Sequence, residues 1–216
     1  MSEFWESKFR SEGAMWDFFP SDSAIRTLHI FRANKFNHIL IPGIGYGRNA
    51  KLFIDNGFEV TGIEISTSAI ELAKANRVNC LIHHGSVTSM PFDDKKYDGI
   101  FCYALVHLLN RTERRNFLKA CSDQLKENGL MVFVLASKQS DMYGMGRYLS
   151  KDRYRISEGL NVFFYDTESA TKEFSAYGII ECREIEEPVK FMKDHESMKH
   201  HESMKMVYVI TSRKVK

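Results

Sequence analysis

Residues 39–65 read ILIPGIGYGRNAKLFIDNGFEVTGIEI. The pattern predicts an apolar strand, a glycine turn, a helix and a second strand that ends at Glu64. Pro42 has no amide hydrogen to donate, which suits the exposed end of the first strand. A glycine turn at this place lets the backbone approach a ligand closely, and a carboxylate ending the next strand lies where a ribose would bind. The stretch therefore predicts half of a nucleotide-type binding site.

The spacing of the glycines restricts the class of ligand that the turn can bind. They stand as Gly43-x-Gly45-x-Gly47, and Arg48 occupies the position where a dinucleotide turn has its third glycine. A dinucleotide turn places a helix N-terminus against a pyrophosphate, whereas the present spacing suits a ligand without phosphate. A tight turn followed by a solvated charge is the alternative. It explains the glycines, but not a strand on both sides and an acid at this distance.

The remaining chain alternates helices and strands with short connections, which predicts a doubly wound α/β fold. Helices are predicted at 23–36, 48–56, 69–77, 112–126 and 167–177. Strands are predicted at 38–41, 59–65, 80–83, 97–103, 130–135, 179–185 and 206–211, the last two as a closing antiparallel pair. The expected architecture is a mostly parallel seven-stranded sheet with helices on both faces and an antiparallel C-terminal strand.

Several residues are predicted to meet at one edge of this sheet. Gly43, Glu64, Ser86 and the pair Cys102-Tyr103 each follow or end a predicted strand. Ligands of such sheets bind outside the carboxyl ends of the strands. The sequence therefore predicts one ligand site built from these residues.

In these segments the chain resembles the class I S-adenosylmethionine-dependent methyltransferases. The glycine turn and Glu64 are similar to the first two motifs of that family, and residues 85–92, 96–103 and 125–133 resemble the later ones, so that the resemblance covers about residues 25–136. It implies S-adenosylmethionine as the cofactor, and the scattered cysteines separately give no reason to expect a metal. The cofactor-binding residues it implies are Gly43, Gly45, Gly47, Glu64, Ile65, Ser86, Val87 and Cys102. Many relatives carry Asp where this chain has Ser86, whose hydroxyl accepts a hydrogen bond without charge assistance.

The activity implied by the resemblance is methyl transfer to a small-molecule acceptor by direct displacement. Tyr103 and His107 are the residues expected to face the methyl donor, and His107 is either a base or a histidine that packs behind its loop. Methyl transfer does not require any particular catalytic residue, so a sequence cannot reveal the activity through one. A non-catalytic sensor of S-adenosylmethionine or S-adenosylhomocysteine therefore stays open, as does a nicotinamide oxidoreductase, against which the glycine spacing argues.

The amino-acid composition indicates the number of domains and the broad class of protein. The chain has 216 residues, of which 27% are charged and 44% hydrophobic, with a formal net charge of +2. These values predict one domain over residues 1–216 and give no electrostatic reason to expect nucleic acid or membrane as a partner. The four cysteines include no Cys-x-x-Cys pair, so we expect a cytoplasmic protein without disulfides. We expect this protein to be a monomer or a homodimer.

Three further segments carry predictions. The aromatic N-terminus, residues 1–24, is expected either to cover the cofactor as a lid or to fasten the terminus to the core. The Tyr- and Arg-rich residues 138–165 are expected either to recognise substrate or to form a solvated helical face. A tandem repeat at 195–206 includes His195, His200 and His201. Their spacing places no two of them on one helical face, which favours a surface hairpin connection, or else an element at the edge of the substrate site, over a metal site.

Overall fold

The computed structural model describes residues 2–15, 18–188 and 203–212. It confirms the predicted fold: one seven-stranded sheet has the order β3-β2-β1-β4-β5-β10-β9. Its strands are β1 (His38–Pro42), β2 (Glu59–Glu64), β3 (Leu81–His84), β4 (Tyr97–Tyr103), β5 (Leu125–Ala136), β9 (Ile179–Pro188) and β10 (Ser203–Ser212). The helices are α1 (Ser2–Glu12), α2 (Asp22–Ala33), α3 (Arg48–Asp55), α4 (Thr67–Ala75), α5 (Arg111–Gln124) and α6 (Thr167–Phe174).

The central strands pair in parallel, while β10 is antiparallel to both of its neighbours, β5 and β9. Alternation along β1 divides the core into two layers, since successive side chains of a strand point to opposite faces. Leu40 packs in a layer with Phe117 of α5 and Phe174 of α6. Ile39 packs in the other layer, which includes residues of α2 and α3. This two-faced burial explains why the strands read as nearly continuous apolar runs.

Helix α4 begins directly behind the end of β2, because Ser66 caps it. The Ser66 hydroxyl accepts a hydrogen bond from the amide of Ala69 at 3.1 Å, as expected of an N-cap serine. Only a single residue separates Glu64 from this cap. The short connection holds the carboxylate of Glu64 at the carboxyl edge of the sheet.

The structure differs from the prediction at the end of α5. The helix was expected to reach residue 126 and to be closed by Asn128-Gly129, but it ends at Gln124, and β5 already begins at Leu125. Leu125 pairs with Tyr97, and the register then shifts so that Gly99 pairs with Leu130. The strand therefore contains an irregular turn, at which Asn128 has a positive φ of 61°.

The expectation of a helical face within residues 138–165 is wrong. This segment forms a second, three-stranded antiparallel sheet of β6 (Arg147–Ser150), β7 (Arg153–Ser157) and β8 (Leu160–Phe163). The alternation of polar and apolar side chains in Arg153-Tyr154-Arg155-Ile156 has the period of a strand. Gly146 and Gly159, with φ of 78° each, flank the outer strands. We call this segment, residues 138–165, the insert.

The closing antiparallel pair is confirmed and is longer than predicted, as β9 extends to Pro188 and β10 starts at Ser203. The last residues of the tandem repeat, 203–206, belong to β10. The three histidines of the repeat and its proposed hairpin lie outside the described residues. No helix in the described ranges is both long and apolar enough to cross a membrane. Within the same ranges no cluster of His, Cys, Asp or Glu has a geometry suited to a metal ion.

Candidate functional site

A cavity of about 300 Å³ lies at the carboxyl edge of the large sheet, and we call it the edge cavity. The structure brings together there nearly all the residues that the sequence predicted for a ligand site. These are Gly43, Gly45, Gly47, Glu64, Ile65, Ser86, Val87, Tyr103 and His107. Their convergence follows from topology, because the carboxyl ends of β1, β2, β3 and β4 are neighbours in a parallel sheet.

The glycine turn forms one wall of the edge cavity. Gly43, Gly45 and Gly47 all have positive φ, between 58° and 82°, a region that side-chain-bearing residues rarely adopt. Gly47 is also the N-cap of α3, and a Cβ atom there would lie 2.7 Å from Cγ2 of Val78. Glycine is therefore required at Gly47 by both conformation and space, and the turn presents bare backbone to the cavity.

Glu64 faces this turn with its carboxylate fixed by backbone amides. Oε2 accepts a hydrogen bond from the amide of Gly45 at 2.9 Å, and Oε1 accepts from the amides of Ile65 and Ser66 at 2.8 and 2.9 Å. The residue is 6% exposed. Burial raises the pKa of the Glu64 carboxyl, and the three amide hydrogen bonds oppose that shift. The result is a pre-oriented acceptor pair at the place predicted for a ribose partner.

Ser86 and Val87 border another part of the edge cavity. The Ser86 hydroxyl caps a short 3₁₀ turn, Val87–Ser89, through the amide of Thr88 at 3.3 Å, and its Oγ lies 2.7 Å from Oγ1 of Thr88. The hydroxyl is thus already engaged locally. The Ser86 hydroxyl therefore offers a ligand in the cavity an uncharged group, part of whose hydrogen-bonding capacity is already used.

Cys102 does not line the edge cavity, unlike the other predicted site residues. Its side chain is 0% exposed and packs in the core layer that contains Leu40 and Phe117. Burial raises the pKa of its thiol. The prediction of a cofactor contact placed Cys102 correctly at the end of β4, but alternation along the strand turns its side chain into the core and leaves Tyr103 at the cavity.

Tyr103 lines the edge cavity beside Arg48, the residue that replaces the third glycine of a dinucleotide turn. The Arg48 guanidinium carbon lies 5.3 Å from the centre of the Tyr103 ring, within the range of a cation–π contact. Burial raises the pKa of Tyr103. The phenol is therefore protonated near neutral pH, which makes it a hydrogen-bonding group and not a base.

His107 lies in a short 3₁₀ turn, Val106–Leu108, that follows β4. Its Nδ1 accepts a hydrogen bond from the amide of Ala136 at 3.0 Å, and the residue is 6% exposed. Burial lowers the pKa of His107 to about 4. Because Nδ1 must be unprotonated to accept this bond, the neutral ring carries its proton on Nε2. This geometry argues against the base role that the sequence left open for His107.

The N-terminal helix α1 closes one side of the edge cavity with Trp5 and Phe9. Between them, Glu6 faces the start of α4 and accepts hydrogen bonds from the hydroxyls of Ser66 and Ser68, both at 2.7 Å. Bonds from Ser68 and Ser66 lower the pKa of Glu6 to about 2. Residue 16, the second tryptophan of this aromatic segment, lies outside the described residues.

The insert closes an adjoining side of the edge cavity: a Cβ at Gly159 would lie 3.0 Å from Cβ of Phe4 in α1. Met142, Leu160 and Val162 line the edge cavity from the insert. The guanidinium of Arg153 donates to the carbonyl oxygens of Leu109 and Leu108, so the insert is bonded to the turn that carries His107. The insert and the segment after β4 therefore form this part of the cavity together.

Sequence reasoning missed most of the apolar lining of the edge cavity. The lining residues that it did not name individually include Leu105, Leu108, Leu109, Met142, Leu160, Val162, Met204 and Met206. The run from Ala104 to Leu109 carried a usable signal, since it is apolar and directly follows a strand end. Met204 and Met206 had no such signal, because only the antiparallel return of β10 brings its first residues to this edge.

Comparisons with known proteins find similarity to methyltransferases. Residues 39–129 match the family model for a methyltransferase domain. The chain is 29% identical over 127 residues to an uncharacterized methyltransferase of Alkaliphilus oremlandii, an alignment that covers 57% of this chain and 58% of that protein. Overall, the chain spans about half the length of the curated relatives it matches.

Solved structures support the same fold. One belongs to work on the conversion of a disulfide bond into a thioacetal group during echinomycin biosynthesis. It matches with a TM-score of 0.73 and 15% identity over 99% of this chain and 93% of that chain. Another is the 1,6-didemethyltoxoflavin-N1-methyltransferase of Burkholderia thailandensis, with 1,6-didemethyltoxoflavin and S-adenosylhomocysteine bound. It matches with a TM-score of 0.69 and 14% identity over 99% of this chain and 87% of that chain.

Proposed function

We propose that this chain is a class I S-adenosylmethionine-dependent methyltransferase, which binds S-adenosylmethionine in the edge cavity and transfers its methyl group to a small-molecule acceptor by direct displacement. The family model and the shared fold support the reaction class. When bound, the cofactor supplies an activated methyl group on a positively charged sulfur. The chain itself has to bind, orient and exclude water.

One observation supports the choice of cofactor: the backbone amide of Gly45 already donates a hydrogen bond to the carboxylate of Glu64. In a dinucleotide site the amides of this turn face a pyrophosphate. Here the amide already has an anionic partner, and the charge of Glu64 would repel a phosphate. A phosphate-free ligand with ribose hydroxyls fits the same carboxylate, which disfavours a nicotinamide cofactor.

The roles that we assign within the edge cavity follow from this placement. Glu64 would accept hydrogen bonds from the ribose, and Ser86 and Val87 would border the adenine. The turn from Gly43 to Gly47 would lie along the methionine part, with Ile65 beside the ribose. Tyr103 would face the reacting end together with His107.

A small molecule is the acceptor class that fits the remaining space. The free side of the edge cavity is enclosed by α1 and the insert, and its lining is mostly apolar. We therefore propose residues 1–24 as a lid and residues 138–165 as a substrate-recognition element within a single domain. The Burkholderia thailandensis enzyme, which holds a small heterocycle beside S-adenosylhomocysteine, supports this class by analogy.

Calorimetry with S-adenosylmethionine, S-adenosylhomocysteine and NADH tests the proposal, combined with an assay for S-adenosylhomocysteine release. We expect both sulfur compounds to bind and NADH not to bind. Binding of NADH alone would overturn the proposal. Binding of both sulfur compounds with no release of S-adenosylhomocysteine from a broad acceptor panel would identify the chain as a sensor.

A further inference from the structure

The acceptor side of the edge cavity contains few groups able to exchange a proton. Its walls include Trp5, Leu105, Leu108, Val162 and Met206. Among the described lining residues, the charged and titratable side chains are Tyr46, Arg48, Glu64, Tyr103 and His107. A base for the acceptor would have to be one of these groups.

None of them is arranged as a base. Glu64 has both carboxylate oxygens bonded to backbone amides. Burial raises the pKa of Tyr103, so its phenol keeps its proton. Tyr46 is a second phenol and is 3% exposed, and the guanidinium of Arg48 stays protonated in proteins.

His107 is the remaining candidate, and its tautomer is fixed from outside the ring. The amide of Ala136 can only donate, so Nδ1 of His107 is the acceptor of their 3.0 Å hydrogen bond and Nε2 holds the ring proton. A second proton on the ring would place two N–H groups against each other at Nδ1. His107 is therefore set up to donate a hydrogen bond from Nε2 to a ligand in the cavity it lines.

The groups around His107 reinforce the neutral ring. The side chains that pack near its turn, from β5, from β8 and from the residue that follows β8, are apolar and include Ala136, Val162 and Phe164. Arg153 on β7 contacts the carbonyl oxygens of the same turn and adds a positive charge on that side. No carboxylate contacts the ring in the part of the chain that the structure describes, so nothing there favours an imidazolium.

We propose that the methyl acceptor is a small apolar thiol that reacts as its thiolate, held by a hydrogen bond from Nε2 of His107. This assignment rests on the proposed function. Without a base, an acceptor that carries a proton has to ionise by itself near neutral pH: an ordinary thiol has a pKa of about 8.5, against about 10 for a phenol. A carboxylic acid ionises more readily still, but its carboxylate oxygen is a much weaker nucleophile towards a methyl carbon than the sulfur of a thiolate. A thiolate also keeps free lone pairs while it accepts the bond from His107, whereas a ring nitrogen would have its single lone pair occupied.

The step balances without a proton transfer in the cavity. A lone pair of the thiolate forms a bond to the methyl carbon while the carbon–sulfur bond of the sulfonium breaks. The electron pair of the broken bond stays on that sulfur, which becomes a neutral thioether, and the acceptor becomes a methyl thioether. The acceptor's proton leaves to solvent before the reaction, so His107 keeps its own proton throughout.

The tautomer can be tested on the protein without any ligand. Nitrogen-15 NMR of histidine-labelled protein, with His107 assigned from the difference to His107→Asn, should show a ring protonated at Nε2 only and not titrating between pH 5 and 8. A ring that titrates near pH 6.5, or that is protonated at Nδ1, would overturn the donor assignment.

Three acceptors of equal ring size test the substrate class: thiophenol, phenol and pyridine. With protein shown by calorimetry to bind S-adenosylmethionine, we expect S-adenosylhomocysteine release to be at least tenfold faster with thiophenol than with the others. Preference for phenol or pyridine, or no turnover of any of the three, would overturn the thiol assignment. Failure to bind S-adenosylmethionine would instead refute the proposed function.

Two variants separate the possible roles of His107. His107→Gln keeps an N–H donor near the position of Nε2, and His107→Asn keeps an acceptor near the position of Nδ1 for the amide of Ala136. If His107 donates to the acceptor, Gln should retain kcat/KM for thiophenol within about threefold and Asn should lose about tenfold, with cofactor affinity unchanged in both. Equal abolition in both variants would indicate a base, and full activity of Asn would indicate a structural role; either result would overturn the proposal.

Discussion

Ser66 donates its hydroxyl to Oε2 of Glu6 at 2.7 Å, which ties the N-terminal helix to the start of α4. The amide of the same Ser66 donates to Oε1 of Glu64. One residue therefore contacts both the carboxylate that fixes α1 and the carboxylate that faces the glycine turn. Helix α1 also places Trp5 and Phe9 at the edge cavity. Ser66 therefore links the helix that closes the cavity to the carboxylate of Glu64 inside it.

Replacement of Glu64 by Ala should weaken S-adenosylmethionine binding by more than about 1 kcal/mol, because a charge-assisted pair of hydrogen bonds to the ribose is lost. Calorimetry measures the change. Glu59→Ala, at the exposed start of the same strand β2, serves as the control and should bind normally. Unchanged affinity in a folded Glu64→Ala protein would refute the ribose assignment.

The contact of α1 with α4 should weaken in acid. Hydrogen bonds from Ser68 and Ser66 lower the pKa of Glu6 from 4.5 to about 2, so the carboxylate stabilises the closed helix fully above pH 4.5. That stabilisation is lost as the pH falls from 4.5 towards 2. Limited proteolysis within α1 should therefore speed up over this range.

Glu6→Gln should be cleaved faster than the parent protein already at neutral pH, since the charge is absent. Glu3→Gln, an exposed residue of the same helix, is the matched control and should leave the cleavage rate unchanged. Equal cleavage of the two variants would show that Glu6 does not hold the helix.

Two glycines at opposite ends of α3 should respond differently to alanine. Both have φ above 80°, so each substitution carries the cost of a left-handed alanine, about 1–2 kcal/mol. A Cβ at Gly57 meets nothing within 4 Å, whereas one at Gly47 would lie 2.7 Å from Cγ2 of Val78. Thermal unfolding should show Gly47→Ala to be the more destabilised, and calorimetry should show weaker cofactor binding in that variant only. Equal melting temperatures would contradict the close approach at Gly47.

Arg153→Met should disturb the acceptor side and spare the cofactor side. The change removes the hydrogen bonds to the carbonyl oxygens of Leu108 and Leu109, which should destabilise the protein by about 1–3 kcal/mol. We expect a raised KM for the acceptor and an unchanged Kd for S-adenosylmethionine. Lys151→Met, an exposed neighbour in the same insert, is the control. A change in cofactor affinity equal to that in acceptor KM would show that the two sides are not separable.

Local patterns in the sequence determined the fold class and the part of the edge cavity that we propose for the cofactor. The glycine turn, the cap at Ser66 and the position of Glu64 depend on residues adjacent in the chain, so periodicity and spacing suffice to predict them. The strand-end rule then places Ser86 and Tyr103 at the same edge, without knowledge of any long-range contact.

Only the tertiary structure decided the rest. The tautomer of His107 depends on the amide of Ala136, 29 residues away, and the fixation of α1 depends on a bond between Glu6 and Ser66, 60 residues apart. The burial of Cys102 and the arrival of Met206 at the cavity depend on how strands pair. Contacts between distant residues leave no periodic trace in the sequence, because each is fixed by packing of whole elements. The sequence therefore predicted which residues meet at the edge cavity, and the folded structure decided which hydrogen-bond donors and apolar side chains surround it.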